Sequence, residues 1–191
     1  MFLISIIERF KFLNPNYLKL LAKDKKFLKQ NSLYSDMADY KNSLDRVALV
    51  GCGSSISNYK LIENVSYIGI NRSFKYENIK LDYLFVQDKF PEGMNAVNEY
   101  RRGNCKKFYG IIPNSTRYLQ NNYLKTFSSE DSDVISANAI VYYLRPGIFQ
   151  AFTNNLNQQP IADLKGTVFS ALQFAIYAGA KEIYLVGCDC F

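Results

Sequence analysis

The stretch from Gly166 to Asp189 constrains the fold most, because an apolar helix signal stops at a glycine and runs directly into an apolar strand signal. From Val168 to Ala178 the run is almost wholly apolar and carries one glutamine. It is too short to cross a bilayer, so it reads as a helix buried in a protein core. Gly179 can take the left-handed conformation that closes a helix. Ile183–Val186 then reads as a short strand of the kind covered on both faces. A buried helix feeding a buried strand is half of a parallel-sheet crossover. Asp189 follows at the strand's carboxyl end, the edge where open parallel sheets place their ligands.

The same alternation runs through the rest of the chain from Arg46. Strand signals fall at Val47–Val50, Tyr67–Ile70, Leu81–Val86 and Lys107–Ile112, with a helix signal over Pro91–Arg102. Ser132–Leu144 is apolar and β-branched, and its second half reads as a further strand. Residues 145–165 hold Pro146, Pro160 and many side-chain amides, and read as a loop over the site. This pattern predicts an α/β domain over residues 46–191, a doubly wound, mostly parallel sheet. It is preceded by a helical appendage over residues 1–45, of which 31–45 are polar and read as a linker.

Charge is distributed unevenly. Residues 1–30 hold seven Lys/Arg against two Asp/Glu, whereas residues 31–191 hold sixteen against fifteen. The basic character therefore belongs to the N-terminal segment, which argues against nucleic acid as a partner, since that would need a basic face on the fold itself. In residues 1–30 aromatic and aliphatic residues alternate with lysines, and Asn14-Pro15 marks the start of a second helix. Two readings stay open: a basic amphipathic contact with an anionic membrane surface, or a helical hairpin packed on the domain with a solvated lysine face. No signal peptide is recognisable, because the charges follow the short apolar start instead of preceding it. With four cysteines, no C-x-x-C pair and no histidine, a zinc site is not expected. A reduced, cytoplasmic protein is the simpler expectation, peripheral to the inner membrane if residues 1–30 meet lipid. The oligomeric state is open, a homo-oligomer included.

Three constellations can carry chemistry. The first is Gly51-x-Gly53-Ser54-Ser55 after the first strand. Glycines there permit a tight turn and close backbone approach to a phosphate, which Ser54 and Ser55 can hydrogen-bond. It is neither the dinucleotide fingerprint nor a P-loop, so a plain tight turn is the alternative. The second is polar residues at strand ends: Asn71 and Arg72, Gln87 and Asp88, and Asp189. The third is Lys165-Gly166-Thr167 at the start of the buried helix, where free N–H groups, a hydroxyl and a cation suit an anion. A capped helix start with a solvated lysine is the alternative there.

Taken together, the Gly-x-Gly-x-Ser-hydrophobic turn, the late Gly-Thr-Val helix and the strand Lys181-Glu182-Ile183-Tyr184-Leu185-Val186-Gly187-Cys188-Asp189 resemble the small bacterial sialyltransferases of glycosyltransferase family 42. They equally resemble the related motility-accessory and 6-hydroxymethylpterin-pyrophosphokinase-like domains. The resemblance covers roughly residues 46–191. It implies a Rossmann-like domain that binds a cytidine-monophosphate sugar or another nucleotide, with a glycan acceptor and no required cofactor. By that likeness Gly51, Gly53 and Ser55 border the donor phosphate, Asn71 matches a donor-binding asparagine, Thr167 matches a serine at the late helix, and Phe191 falls where a tyrosine approaches the phosphate. The chain departs from the family at Ser54, where proline is usual, at Cys52, where the sialyltransferases have asparagine, and at Asp88, in the place of their strand-three asparagine. It also has no histidine to match their general base, so no catalytic residue can be named, and the domain is expected to continue beyond Phe191. The first expectation is a nucleotide-sugar glycosyltransferase of surface-polysaccharide synthesis. The alternatives are pyrophosphoryl transfer to a pterin, with magnesium held by Asp88 and Asp189, and a non-catalytic nucleotide-binding module.

Overall fold

A computed structural model of the chain describes residues 15–16, 18–19, 21–23, 37–87, 92–100, 102–111, 139–146, 156, 161–163 and 166–189. Its centre is a sheet of strands β1 (Arg46–Val50), β2 (Ser66–Ile70), β3 (Tyr83–Val86), β4 (Lys106–Ile111), β5 (Ile140–Pro146), β6 (Ile161–Asp163) and β7 (Glu182–Val186). Helices α1 (Glu92–Glu99) and α2 (Thr167–Tyr177) accompany it. The strand order is β6-β5-β4-β3-β2-β1-β7, and every neighbouring pair is parallel. From β1 to β6 the chain steps steadily across the sheet, then returns to place β7 on the free side of β1. Parallel crossovers are right-handed, so a return in the opposite sense belongs on the opposite face. This accounts for α2 packing on β1, β2 and β3 while α1 packs on β3, β4 and the turn after β2.

Both faces of the central strands are dry. Val47, Ala48, Leu49, Leu84, Phe85 and Val86 are fully buried, as the near-continuous apolar runs of a parallel sheet require. The α2 face is an aromatic cluster. Phe85 stacks on Phe108 at 4.6 Å between ring centres, and Phe174 of α2 lies 5.2 Å from both. Tyr40 adds edge-on contacts to Tyr83, Phe108 and Phe174. The only amide within the apolar helix, Gln173, is fully buried and bonds the Phe169 carbonyl one turn back at 3.3 Å.

Several expectations need correction. The segment 31–45 is not merely a linker: within its described part Met37 is 3% exposed and Tyr40 belongs to the aromatic cluster. Polar spacing around two apolar anchors hid them. The loop expected over 145–165 contains the last two residues of β5 and all of β6. Pro146 ends a strand there instead of excluding one, a position proline tolerates. Strand β7 is not covered on both faces. Among the described residues it pairs only with β1, and Leu185 is 63% exposed, because an apolar run does not record which face is covered. Strand β3 begins at Tyr83, two residues later than expected, and the Leu81 N–H is taken by the Tyr100 hydroxyl at 2.9 Å. Helix α1 ends at Glu99, short of the expected Arg102; Pro91 and Arg101 lie outside the described residues.

Among the described residues no helix is long and apolar enough to cross a membrane. Residues 15–23 are helical where described, and Leu18 is 50% exposed beside exposed Lys19 and Lys23.

Candidate functional site at the carboxyl edge of the sheet

Because the strands are parallel, the residues that follow β1, β2, β3 and β7 all emerge on one edge. Gly51–Ser55, Asn71, Gln87 and Asp189 meet there, as expected from their positions after strand signals. They form two clusters.

The first joins β1 to β7. The Gly51 N–H donates to Val186 O at 2.8 Å and the Gly53 N–H to Gly187 O at 2.7 Å, so the parallel pairing continues past both strand ends. A 3-10 turn follows over Ser54–Asn58. Asp189 closes it: Oδ2 accepts the Ser55 N–H at 2.9 Å and the Ser54 hydroxyl at 3.5 Å, while Oδ1 accepts the Ser55 hydroxyl. These donors, the Ser55 hydroxyl first, hold the Asp189 carboxyl below the usual carboxylate range. The glycines are small for a local reason. A Cβ on Gly51 would lie 2.2 Å from Gly187 O, and one on Gly53 would lie 2.3 Å from Asp189 Oδ2. A side chain at either glycine would therefore meet the exit of β7 or its carboxylate. Cys52 is exposed, with its thiol 3.4 Å from Ile70 O.

The second cluster crosses β2, β3, β5 and α2. Asn71 adopts the left-handed conformation, φ +50°, which asparagine tolerates better than most residues. Its Oδ1 accepts the Gln87 N–H at 3.0 Å and the Thr167 hydroxyl at 3.2 Å. A backbone N–H can only donate, so the atom facing Gln87 is the oxygen and the amide orientation is fixed by chemistry. Thr167, 7% exposed, donates its hydroxyl hydrogen to Asn71. Gly166 is extended at the N-cap of α2, and its carbonyl accepts the Phe169 N–H at 3.0 Å. Gln87 Nε2 in turn donates to the Tyr142 hydroxyl at 2.7 Å and to the Ser170 hydroxyl.

Gln87 stands next in line with Gly110 of β4, given that Val86 pairs with Tyr109, and Gly110 pairs with Tyr142 of β5. A Cβ on Gly110 would lie 2.6 Å from the Tyr142 hydroxyl and 2.8 Å from Gln87 Cγ. The bare glycine is what lets Gln87 reach across one strand to its partner.

Sequence reasoning placed Asn71 and Gln87 at strand ends and Thr167 at a helix start, but missed Tyr142, Ser170 and Gly110. Tyr142 and Ser170 sat in apolar runs that read as core, and only a period-2 or helical register would have turned them towards a strand end. Asp88, Lys165 and Phe191 lie outside the described residues. Cys52 is exposed, Cys105 and Cys188 are partly buried, and burial pushes the Cys105 thiol up to about 12. No family model matches the chain, and neither a curated protein nor a solved structure matches it, so a functional reading stands on the motifs and on this geometry.

Proposed function

We propose that the chain is a nucleotide-sugar-dependent glycosyltransferase domain, sialyltransferase-like in its motifs and Rossmann-like in its fold, that acts at the cytoplasmic face of the membrane in surface-glycan synthesis. The observation that carries the reading is the clamped amide of Asn71. With Oδ1 committed to Gln87 and Thr167, Nδ2 remains to donate to a ligand. Among the described residues no buried side-chain nitrogen or oxygen lacks a partner, so Nδ2, which has none, faces solvent. A fixed donor beside a helix N-terminus suits the phosphate and hydroxyls of a nucleotide donor.

In such a transfer an acceptor hydroxyl attacks the sugar carbon while the nucleotide phosphate leaves with the bonding electrons. The α2 start and Asn71 supply the charge sink that this departure needs. Asp189 is not free to serve as its base, because three donors on Ser54 and Ser55 hold its carboxylate. The same commitment favours this reading over magnesium-dependent pyrophosphoryl transfer, in which Asp189 would be a ligand.

Calorimetry with cytidine, uridine and adenosine nucleotides tests the proposal. Cytidine monophosphate should give the largest heat without magnesium. Asn71→Asp keeps an acceptor for Gln87 and Thr167 but removes the donor and adds a repelling charge, so it should weaken binding at least tenfold while the fold persists. Equal or absent heats from all three nucleotides, with folding confirmed, sink the reading. Adenine-selective, magnesium-dependent heat transfers it to the pyrophosphokinase-like alternative.

A further inference from the structure

We propose that the cavity at the amino edge of the sheet, between the starts of β3 and β4, is a second binding site for a small organic anion with a flat ring, an aryl phosphate or an aryl carboxylate. It lies at the opposite end of the strands from Asn71 and Asp189. A ligand there leaves both carboxyl-edge clusters open, and the site stands whether or not the chain uses a nucleotide sugar.

The cavity measures about 400 Å³, within the ~300–1,000 Å³ span of small-molecule sites. Its aromatic lining is Tyr40 and Tyr83, whose rings meet edge-on with centres 5.9 Å apart, together with buried Leu81. Walls of this kind favour a planar ring, which they can meet by stacking or by edge contact.

The charged lining is biased towards cations. Lys80 and Lys106 bring two ammonium groups, and neither has a hydrogen-bond or ion-pair partner among the described residues. Asp82 brings the one carboxylate of the lining, and its Oδ2 already accepts the Tyr67 N–H of β2 at 2.9 Å. Lys80 is held in the lining by the turn between α1 and β4. Gly103 there is left-handed, φ +60°, and a Cβ on it would come within 3.0 Å of Lys80 Cε, so the lysine stem packs on the bare glycine. The Tyr83 hydroxyl has no hydrogen-bond partner among the described residues, and since no buried side-chain oxygen there lacks one, it is open to solvent. Burial first, then Tyr40 and Asp82, raise its pKa, so at neutral pH it keeps its proton to donate.

Two unpaired ammonium groups and a hydroxyl donor match the acceptor oxygens of a phosphate or a carboxylate. Charge-assisted hydrogen bonds of this kind are about twice as strong as neutral ones. The tyrosine rings beside them take the apolar body of the ligand, and a cationic ring would be repelled by the lysines.

Titration of the full chain with phenyl phosphate and with benzoate, followed by NMR, tests the site. Backbone signals of residues 80–83 and 103–106 should move, while those of residues 51–55, 71 and 87 should stay. Lys80→Glu combined with Lys106→Glu should weaken binding at least about tenfold and leave the remaining spectrum intact, since both lysines are exposed. Tyr83→Phe should weaken it several-fold. Lys60→Glu, at an exposed lysine outside the lining, should leave it unchanged. The tighter of the two anions names the headgroup, and either result supports the proposal. Signals of residues 103–106 that stay fixed with both anions overturn the site, as does movement confined to residues 51–55, 71 and 87. Equal weakening in Lys60→Glu would show attraction by general surface charge and overturns it too. Benzylamine binding as tightly as the anions overturns the charge selection, and inorganic phosphate binding as tightly as phenyl phosphate overturns the role of the ring.

Discussion

The Asp189 carboxylate accepts the Ser55 N–H at 2.9 Å and so ties the exit of β7 to the turn after β1. The bond spans 134 residues of sequence and joins β7 to the sheet where strand pairing runs out. The pair makes stability depend on pH in a defined direction. A carboxylate held below its ordinary range contributes stability that is complete above its unfolded pKa, near 4 for aspartate, and is lost as pH falls through the lower native value. Urea denaturation from pH 6 down to about pH 2 should therefore show a decline at the acid end that Asp189→Asn removes. The site is open to solvent, so the difference should be modest. An unchanged acid slope in Asp189→Asn would mean that the clasp contributes nothing.

The same clasp explains Gly53. Its backbone, φ −73° and ψ 158°, suits any residue, so an alanine there is not strained by conformation. The cost comes from the carboxylate 2.3 Å from the new Cβ. Gly53→Ala should lose about 1–3 kcal/mol by overpacking, and most of that loss should vanish in an Asp189→Ala background. A double-mutant cycle measures it, and strict additivity would contradict the contact.

The core offers a plainer test. Phe108 is fully buried and touches Phe85, Phe174, Tyr40 and Tyr83. Phe108→Ala should cost about 3–5 kcal/mol. Met37→Ala should cost about 2–5 kcal/mol by the same mechanism, although Met37 lies in a segment whose polar composition reads as a linker. Met37→Ala without effect on the chemical denaturation midpoint would return that segment to linker status.

How far the sequence was legible follows from what each signal encodes. The strands around Val47–Val50 and Tyr67–Ile70, and the helix ending before Gly179, were readable because burial demands apolar runs and a stop residue, while Ile183–Val186 kept an apolar run without being covered on both faces. Gly179 does take φ +88°. The exposure of Leu185 was not readable, since an apolar run does not record which face of a strand is covered. At the site, Asn71 and Gln87 were visible as polar residues after apolar strands, but their bond to each other depends on register. Gly110 looked like an ordinary strand residue until the Gln87–Tyr142 bond above it gave it a reason. The Gly51–Ser55 turn was visible as a turn, while the carboxylate that closes it comes from the far end of the domain.

Thiol chemistry separates Cys52 from Cys105. Cys52 is exposed on the turn, whereas burial raises the Cys105 thiol to about 12 and keeps it protonated at neutral pH. The thiolate is the reactive form, so alkylation at pH 7.5 should modify Cys52 well before Cys105. Mass spectrometry of tryptic peptides over a time course reads this directly. Equal rates at the two positions would show that the Cys105 site opens on the labelling timescale.

The last prediction concerns residues 1–30, whose charge is five units positive while the rest of the chain is nearly balanced. Lys19 and Lys23, four apart, share one face of the helix that the structure shows there, and Leu18 is half exposed. An exposed basic helix of this kind suits an anionic lipid surface, where each basic residue contributes about 1 kcal/mol. The full chain should co-float with vesicles containing phosphatidylserine at low salt. It should be released as salt rises past 0.1 M, where screening falls to about 10 Å. Lys19→Glu combined with Lys23→Glu should weaken flotation more than tenfold without changing the denaturation midpoint, since neither lysine is buried. Neutral phosphatidylcholine vesicles should recruit little of either protein. Flotation that survives both the charge reversal and deletion of residues 1–30 would rule this segment out as the membrane contact.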